Sequence, residues 1–429
     1  MSDSTNASGH LMIGGVDSLQ LAEQFQTPLY VYDVSAIRDQ IRAFKRVFEA
    51  QHFNYAVSYA SKAFATVAMY QVAKQEACHV DVVSGGELYT AAQADFPMAD
   101  VSFHGNNKSA QELREALALN VGTIVVDNFY ELQLLSDLLA ETPDRTQNIL
   151  LRVTPGISAH THAYISTGQT DSKFGFDVDS GLAFKAAQLA LANPQFNLLG
   201  IHAHIGSQIF DVAGFIGATQ KLANILKDWY DQLNYTPAVL NVGGGFGIAY
   251  TEADDPIPAE AFVEAILKTL RAQNLPFALP AVWIEPGRSI VGPAGYQLYT
   301  VGASKTVPGL RPYIAVDGGM GDNLRPALYQ AEYVAVKAAD PNAEPTQDVH
   351  LVGKYCESGD ILIDHAQLPD VTPGDVLAVK SCGAYGYSMA SNYNRNPIPA
   401  VVFAENGQAK LVVRRQSYAD LTQNDLSYD

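Results

Sequence analysis

The sequence predicts an α/β protein, a (β/α)8 barrel of the TIM type followed by a C-terminal antiparallel β domain. Two observations carry that prediction. From residue 54 to 288, short apolar, β-branched runs alternate with longer stretches whose leucines recur every three or four residues. That is the rhythm of strands joined by amphipathic helices. After Gly287 the helical stretches stop and β-type runs follow one another between Gly, Pro and Asp turns, the pattern of antiparallel sheets. A chain of 429 residues has room for both units, since single cores rarely grow past about 250–300 residues.

Taken in order, TPLYVYDV (27–34) reads as an early strand in an N-terminal segment, 1–35, expected to join the β domain. Eight strands follow: NYAVSYA (54–60), HVDVVS (79–84), VSFHG (101–105), GTIVVD (122–127), NILLRVTP (148–155), LLGIHAHIG (198–206), VLNVGGG (239–245) and AVWIEPG (281–287). Helical stretches such as SAQELREALALN (109–120) and NFYELQLLSDLLAE (128–141) lie between them, and Ser109 with Glu112 forms a capping-box signature. Strands separated by helices pair in parallel with right-handed crossovers. Eight such units over about 235 residues match the usual barrel of roughly 250; an open doubly wound sheet is the alternative. The barrel is expected over 36–288 and the β domain over 289–429.

Composition narrows the functional classes. The apolar share of 48% against 17% charged suits a soluble protein with a large core. A net charge of −18 repels nucleic acid and anionic membranes. The polar N-terminus and the lack of any run of eighteen apolar residues argue against a signal peptide or membrane span. Cys78, Cys356 and Cys382 are too few for a disulfide framework. A cytoplasmic protein is expected, with Cys78 and Cys382 as core thiols.

Barrel chemistry gathers where strands end at their C-terminal side. Lys62 in SYASKAF closes the first strand and His104 in FHGNNKS the third. His204 and Ser207 in HAHIGSQ close the sixth, Gly243, Gly244 and Gly245 the seventh, and Glu285, Gly287 and Arg288 in EPGR the eighth. Each has an ordinary structural explanation alone, but their convergence on one rim does not. Counted from Gly243, the sixth residue is Ile248, so the glycine run fails as a dinucleotide fingerprint. A late barrel loop of this kind suits a phosphate instead. A lysine buried among apolar neighbours loses hydration, so its pKa falls and the amine becomes nucleophilic toward carbonyls. With a phosphate cradle and the acid Glu285, the ligand implied is pyridoxal phosphate, whose pyridine nitrogen needs an acid partner. The weaker alternative is a metal-dependent hydrolase, with His202 and His204 on one strand face; no metal is expected.

Together and in order, SYASKAF, DVVSGGEL, FHGNNKS, HAHIGSQ, VGGGFG, EPGRSIVGPAG, DGGMGDNLRPALY, CESGD and GAYGYSMASNYN resemble the fold-type III pyridoxal-phosphate-dependent decarboxylases, from about Thr27 to about Leu421. The resemblance implies a homodimer with shared active sites and a small amino-acid substrate. It also implies that Lys62 holds the cofactor covalently and His204 stacks on its ring. Ser207, the glycines 243–245, Glu285, Gly287 and Arg288 then contact the phosphate and ring nitrogen, and Tyr385 touches cofactor and substrate. Arg288, Arg325 and Tyr329 are implied as substrate-carboxylate ligands. Cys356 and Glu357 reach into the neighbouring subunit's site, the cysteine as proton donor and the glutamate on the distal ammonium. Ornithine-type relatives typically carry Asp at the position of Glu357 and need no clamp such as Arg325 with Tyr329. The expected reaction is therefore loss of CO2 from meso-diaminopimelate to give L-lysine, with an ornithine or arginine decarboxylase as the nearer alternative. A non-catalytic cofactor-binding barrel is the remoter one.

The resemblance leaves other residues open. Asp81 reads equally as a supporting partner of the cofactor and as a structural aspartate, and His104 as lining the site. His160 and His162 sit in an insertion, 156–178, that could cover the pocket. Lys305, Lys354 and Lys380 read as ordinary surface or strand lysines.

Overall fold

The computed structural model describes residues 4–157 and 172–429. All eight expected barrel strands form: β1 Tyr55–Ala60, β2 His79–Val82, β3 Val101–Phe103, β4 Thr123–Val126, β5 Gln147–Thr154, β6 Phe196–His202, β7 Val239–Asn241 and β8 Ala281–Ile284. Each pairs in parallel with the next, β8 pairs with β1, and the ring is closed. Both faces of such a strand are covered, so its sequence reads as a continuous apolar run. In β1 every residue after Tyr55 is buried.

Side-chain caps start the helices that return the chain. Ser84, Ser109 and Asn128 accept from the backbone N–H groups of Glu87, Glu112 and Glu131, each worth about 1 kcal/mol. At Ser109 the expected capping box is complete. A short strand the sequence had not suggested, Phe176–Asp177, pairs in parallel with the end of β5. His160 and His162 lie outside the described residues.

The chain divides into two compact units. The barrel unit is Gln40–Ile248 with Asp255–Ser289; the β unit takes the residues up to Asp39, the short piece Ala249–Asp254 and Ile290–Asp429. In the β unit, Leu29–Asp33 pairs with Gly295–Lys305 on one side and Ala400–Glu405 on the other. The early strand thus belongs to this sheet. Most pairings are antiparallel, but Leu29–Asp33 runs parallel to Ala400–Glu405, and Tyr313–Val316 parallel to Gln347–Val352. The sheet is therefore mixed. A long connection lets a strand re-enter beside its predecessor in the same direction, which a tight hairpin forbids. Alternate residues of Gly295–Lys305 serve two cores. Tyr299 and Val301 pack with Ile314, Val349 and Leu377, whereas Leu298 packs with Leu29, Val31 and Val402.

Candidate active site

The barrel unit gathers the expected residues at its strand ends. Lys62 occupies a 3-10 turn, Ser61–Ala63, directly after β1. The expectation of a buried amine is not met, because Ser61 and Ala63 are buried while Lys62 is exposed. The tight turn buries its two neighbours and leaves the lysine accessible at the barrel mouth. Ser61 is fixed beneath it, its hydroxyl 2.6 Å from the Asp81 carbonyl and 3.0 Å from the Glu87 carboxylate. The end of β8 packs against this turn. A Cβ at Gly287 would lie 3.0 Å from both the Cβ and the carbonyl oxygen of Ala60.

The glycine run has a geometric requirement of its own. Gly243 (φ +70°) and Gly245 (φ +101°) adopt left-handed backbone, which side chains resist. A Cβ at Gly244 would come within 2.0 Å of the Glu285 carbonyl, and one at Gly245 within 2.0 Å of the Gly206 carbonyl. Three strand ends, β6 to β8, are drawn together there. Across the same loops Arg288 donates to the Ser207 hydroxyl at 3.1 Å. The N–H of Gly244 points to His204 Nδ1 at 3.4 Å. Burial, then the charge of Lys62, hold the His204 pKa well below its ordinary value, so the ring is neutral.

Glu285 lies at the centre of a buried polar cluster. His202 Nε2 donates to Glu285 Oε2 at 3.0 Å, and Asn241 Nδ2 donates to Oε1 at 2.5 Å. His104 Nε2 sits 3.2 Å from Oε1 and 3.8 Å from Asp81 Oδ1. Burial alone would raise the Glu285 pKa, but the imidazoles of His104 and His202 draw it well below the usual range. Asp81 goes the other way, raised by burial and by the charge of Glu285. The pKa values of two neighbouring carboxyls are thus pushed in opposite directions.

The His202–Ala203–His204 pair does not form a shared metal face: β6 ends at His202, and His204 is not part of the metal-capable group among the described residues. Among the described residues, the metal-capable group is instead His104, His202 and Glu285, whose donor atoms lie within 4.8 Å of one another. Its carboxylate already accepts from His202 and Asn241, which marks the cluster as a hydrogen-bond network.

A second buried network was missed in the sequence. Lys108 Nζ donates to Glu131 Oε1 at 2.7 Å, to the Val125 carbonyl at 2.8 Å and to the Gly105 carbonyl at 2.9 Å. Glu131 Oε2 accepts from the N–H of Asp127, whose carboxylate takes the Gly175 N–H at 3.0 Å and lies 3.8 Å from Arg152. Lys108 is visible in FHGNNKS and Glu131 in the helix pattern, but nothing in their spacing links them.

The remaining expected residues belong to the β unit. Arg325 and Tyr329 lie one turn apart on the helix Arg325–Tyr329. The buried guanidinium donates to the Tyr333 hydroxyl and sits 4.8 Å from the centre of the Tyr250 ring. Tyr385 is half-buried with φ +60°. Cys356 and Glu357 are both exposed. Their loop is held at three points: the Cys356 N–H donates to Asn394 Oδ1 at 2.9 Å, the Tyr393 hydroxyl is 3.4 Å from Glu357, and Asp360 accepts from the N–H groups of Met320 and Tyr355. Cys78 and Cys382 are buried free thiols.

Asp322, in the DGGMGDN segment, accepts from the Gly319 N–H at 2.7 Å. Burial pushes its pKa up to about 7. A carboxyl with a raised folded pKa contributes stability at acid pH that is lost as pH rises from about 4 through 7. Asp322→Asn keeps the acceptor without the charge. Urea unfolding should show the variant no less stable than the parent at pH 8 and losing that relative advantage at pH 5.

Comparison with known proteins identifies the family. A family model described as "Pyridoxal-dependent decarboxylase, pyridoxal binding domain" matches residues 34–292. The chain belongs to the pyridoxal-dependent decarboxylases. Along nearly its full length it is similar to diaminopimelate decarboxylases, with 55% identity to that of Bacillus subtilis (strain 168) over 99% of this chain and 97% of the relative. Identity to that of Bacillus methanolicus is 56%, over 96% of this chain and 95% of the relative. The crystal structure of the M. jannaschii diaminopimelate decarboxylase in complex with L-lysine superposes with a TM-score of 0.92 at 34% identity, covering 99% of this chain and 98% of that one.

Proposed function

We propose that this protein decarboxylates meso-2,6-diaminopimelate to L-lysine and CO2, with pyridoxal phosphate as cofactor. The observation that carries the reading is the rim itself: a lysine, a glycine-built loop beside Arg288 and Ser207, and a buried ionised carboxylate, in a chain similar end to end to diaminopimelate decarboxylases.

The donor set fits the cofactor. Glu285, held ionised, suits a protonated pyridine nitrogen, and neutral His204 offers a flat, uncharged face for the ring. Ser207, the Arg288 guanidinium and the loop of Gly243, Gly244 and Gly245 would hold the phosphate, with Gly287 allowing β8 to approach the lysine turn. When bound, the cofactor would supply the sink for the electron pair left on the α-carbon as CO2 departs. Lys62 would hold the cofactor in the resting enzyme and yield its place to the substrate amine. Arg288, Arg325 and Tyr329 would bind the carboxylate that survives, an anchoring for which a guanidinium fork is suited. Tyr385 would orient substrate against cofactor. Cys356 would deliver the proton that replaces CO2, and Glu357 would bind the distal ammonium. We propose that both are lent to the partner subunit in a homodimer; their exposed loop supports this assignment.

The same proposal keeps the barrel over 36–288, the β domain over 289–429 and segment 1–35 with the β domain. Among the described residues no helix is long and apolar enough to cross a membrane. The cytoplasm is the proposed location, supported by free thiols and a net charge of −18.

The test is CO2 release from meso-diaminopimelate, ornithine, arginine and L-lysine. Turnover is expected with the first, and background rates with the others. Efficient release from ornithine without release from diaminopimelate would overturn the substrate assignment.

A further inference from the structure

We infer that His104, His202 and Asn241 are positioning residues for Glu285: together they hold its carboxylate in one orientation and keep it ionised, so that the pyridine nitrogen of the bound cofactor stays protonated. The inference rests on the proposed role of Glu285 and extends it to three residues that touch the acid rather than the reacting atoms.

The geometry divides the work. Glu285 is buried, and an unpartnered carboxylate there would take up a proton to escape the loss of hydration. Three strands bring it groups at fixed positions. Asn241, at the end of β7, donates its amide N–H to Oε1 while its own Oδ1 accepts from the N–H of Gly243 at 2.9 Å. The glycine loop and the acid are thus tied to one side chain. His202, at the end of β6, donates to Oε2. A carboxylate only accepts, so the ring carries its hydrogen on Nε2. Nδ1 meets no partner among the described residues, as befits a bare lone pair. Burial pushes the His202 pKa down to about 4, so this donor is neutral at ordinary pH. His104, just past β3, lies between Asp81 and Glu285 with its ring 4.9 Å from that of His202; its Nε2 approaches Glu285 Oε1 at 3.2 Å without forming a hydrogen bond, so it confines the carboxylate by packing and charge.

Other titratable groups face the cluster: Asp81 from β2, Glu87 from the helix after it, Asp127 just past β4 beside His104, Arg152 from β5, Lys62 from the turn after β1 and His204 from beyond β6. Burial and the charge of Glu285 push the Asp81 pKa up, while the Ser58 hydroxyl and Lys62 pull it down. Arg152 acts on Glu285, His202 and His204, and Lys62 acts on Asp81 and His204. The hydrogen bonds from His202 and Asn241 single out Glu285 as the carboxyl held ionised.

The experiment strips the purified enzyme with hydroxylamine and refills it with pyridoxal phosphate, measuring affinity and the pH dependence of the bound cofactor's absorbance. The parent should show no titration between about pH 6 and about pH 9. His202→Leu should bind the cofactor about tenfold to a hundredfold more weakly, the worth of one hydrogen bond to a charged group, and its absorbance should titrate within that range. His202→Gln, whose amide can still donate, should restore most of both properties. Glu285→Gln serves as the reference and should titrate as well. If Glu285→Gln titrates while His202→Leu matches the parent, the inference falls and the functional reading stands. Equal shifts in His202→Leu and His202→Gln would reduce the histidine to packing and overturn the inference. A Glu285→Gln protein indistinguishable from the parent would remove the role of Glu285 itself. Should His202→Leu fail to fold, Asn241→Ala and His104→Gln decide by the same two measurements. Titration supports the inference, and parent-like behaviour in both rejects it.

Discussion

Lys62→Ala is expected to lower kcat on meso-diaminopimelate by on the order of 10⁴ or more, the scale seen when a covalent group is removed from an enzyme. The structure gives the substitution few other consequences. The side chain is exposed, while the fold at this corner is made by its buried neighbours Ser61 and Ala63 and by the approach of Gly287 to Ala60. The variant should therefore unfold at the same denaturant concentration as the parent. It should also lose the borohydride-sensitive absorbance of the covalently held cofactor. A variant that keeps normal turnover would remove the central residue of the proposal. The same protein tests subunit sharing. Mixed with inactive Cys356→Ala subunits, it should recover up to about a quarter of parental activity, because half of randomly paired two-fold dimers contain one intact site of two. No recovery after proven subunit exchange would place Cys356 in the site of its own chain.

The largest effect on stability is expected at Lys108. Its three ammonium hydrogens meet Glu131 and two carbonyl oxygens, and both side chains of the ion pair are only 2% exposed. Lys108→Met leaves the Glu131 carboxylate buried with the Asp127 N–H as its remaining donor. Such an uncompensated charge costs about 3–5 kcal/mol. Adding Glu131→Leu should recover much of the loss, because replacing both partners of a buried pair is often close to neutral. Urea denaturation of the two variants separates these outcomes. A small effect in the single variant, or no recovery in the double, would show that the pair does not stabilise the barrel in this way.

The barrel was legible because its strands are covered on both faces. Apolar runs ending in Gly, Pro or a polar residue located every strand from β1 to β8 to within a few residues. The β sheet was less so. The parallel pairing of Leu29–Asp33 with Ala400–Glu405 is a contact across most of the chain, and the local sequence at either end carries no sign of direction. At the site, strand-end position picked out Lys62, His204, Glu285 and Arg288, since that criterion needs only the strand count. It failed for side-chain direction. Apolar neighbours suggested a buried Lys62, and a two-residue spacing suggested a common face for His202 and His204; a turn and a strand end decided otherwise. Asn241 and the Lys108–Glu131 pair were invisible for another reason: their meaning lies in partners far along the chain.

The pairing of Leu29–Asp33 has a consequence for how the protein is made. This strand leaves the ribosome early, yet its partners lie at Gly295–Lys305 and Ala400–Glu405. At ~5–20 residues per second, it waits roughly 20 to 70 seconds for the second of them. During that time YVY is an apolar strand with two open edges, a template for pairing with other chains. The barrel can close while its neighbour is still short of a central strand's partners. Leu29–Asp33 therefore stays an open-edged strand until Ala400–Glu405 has been made.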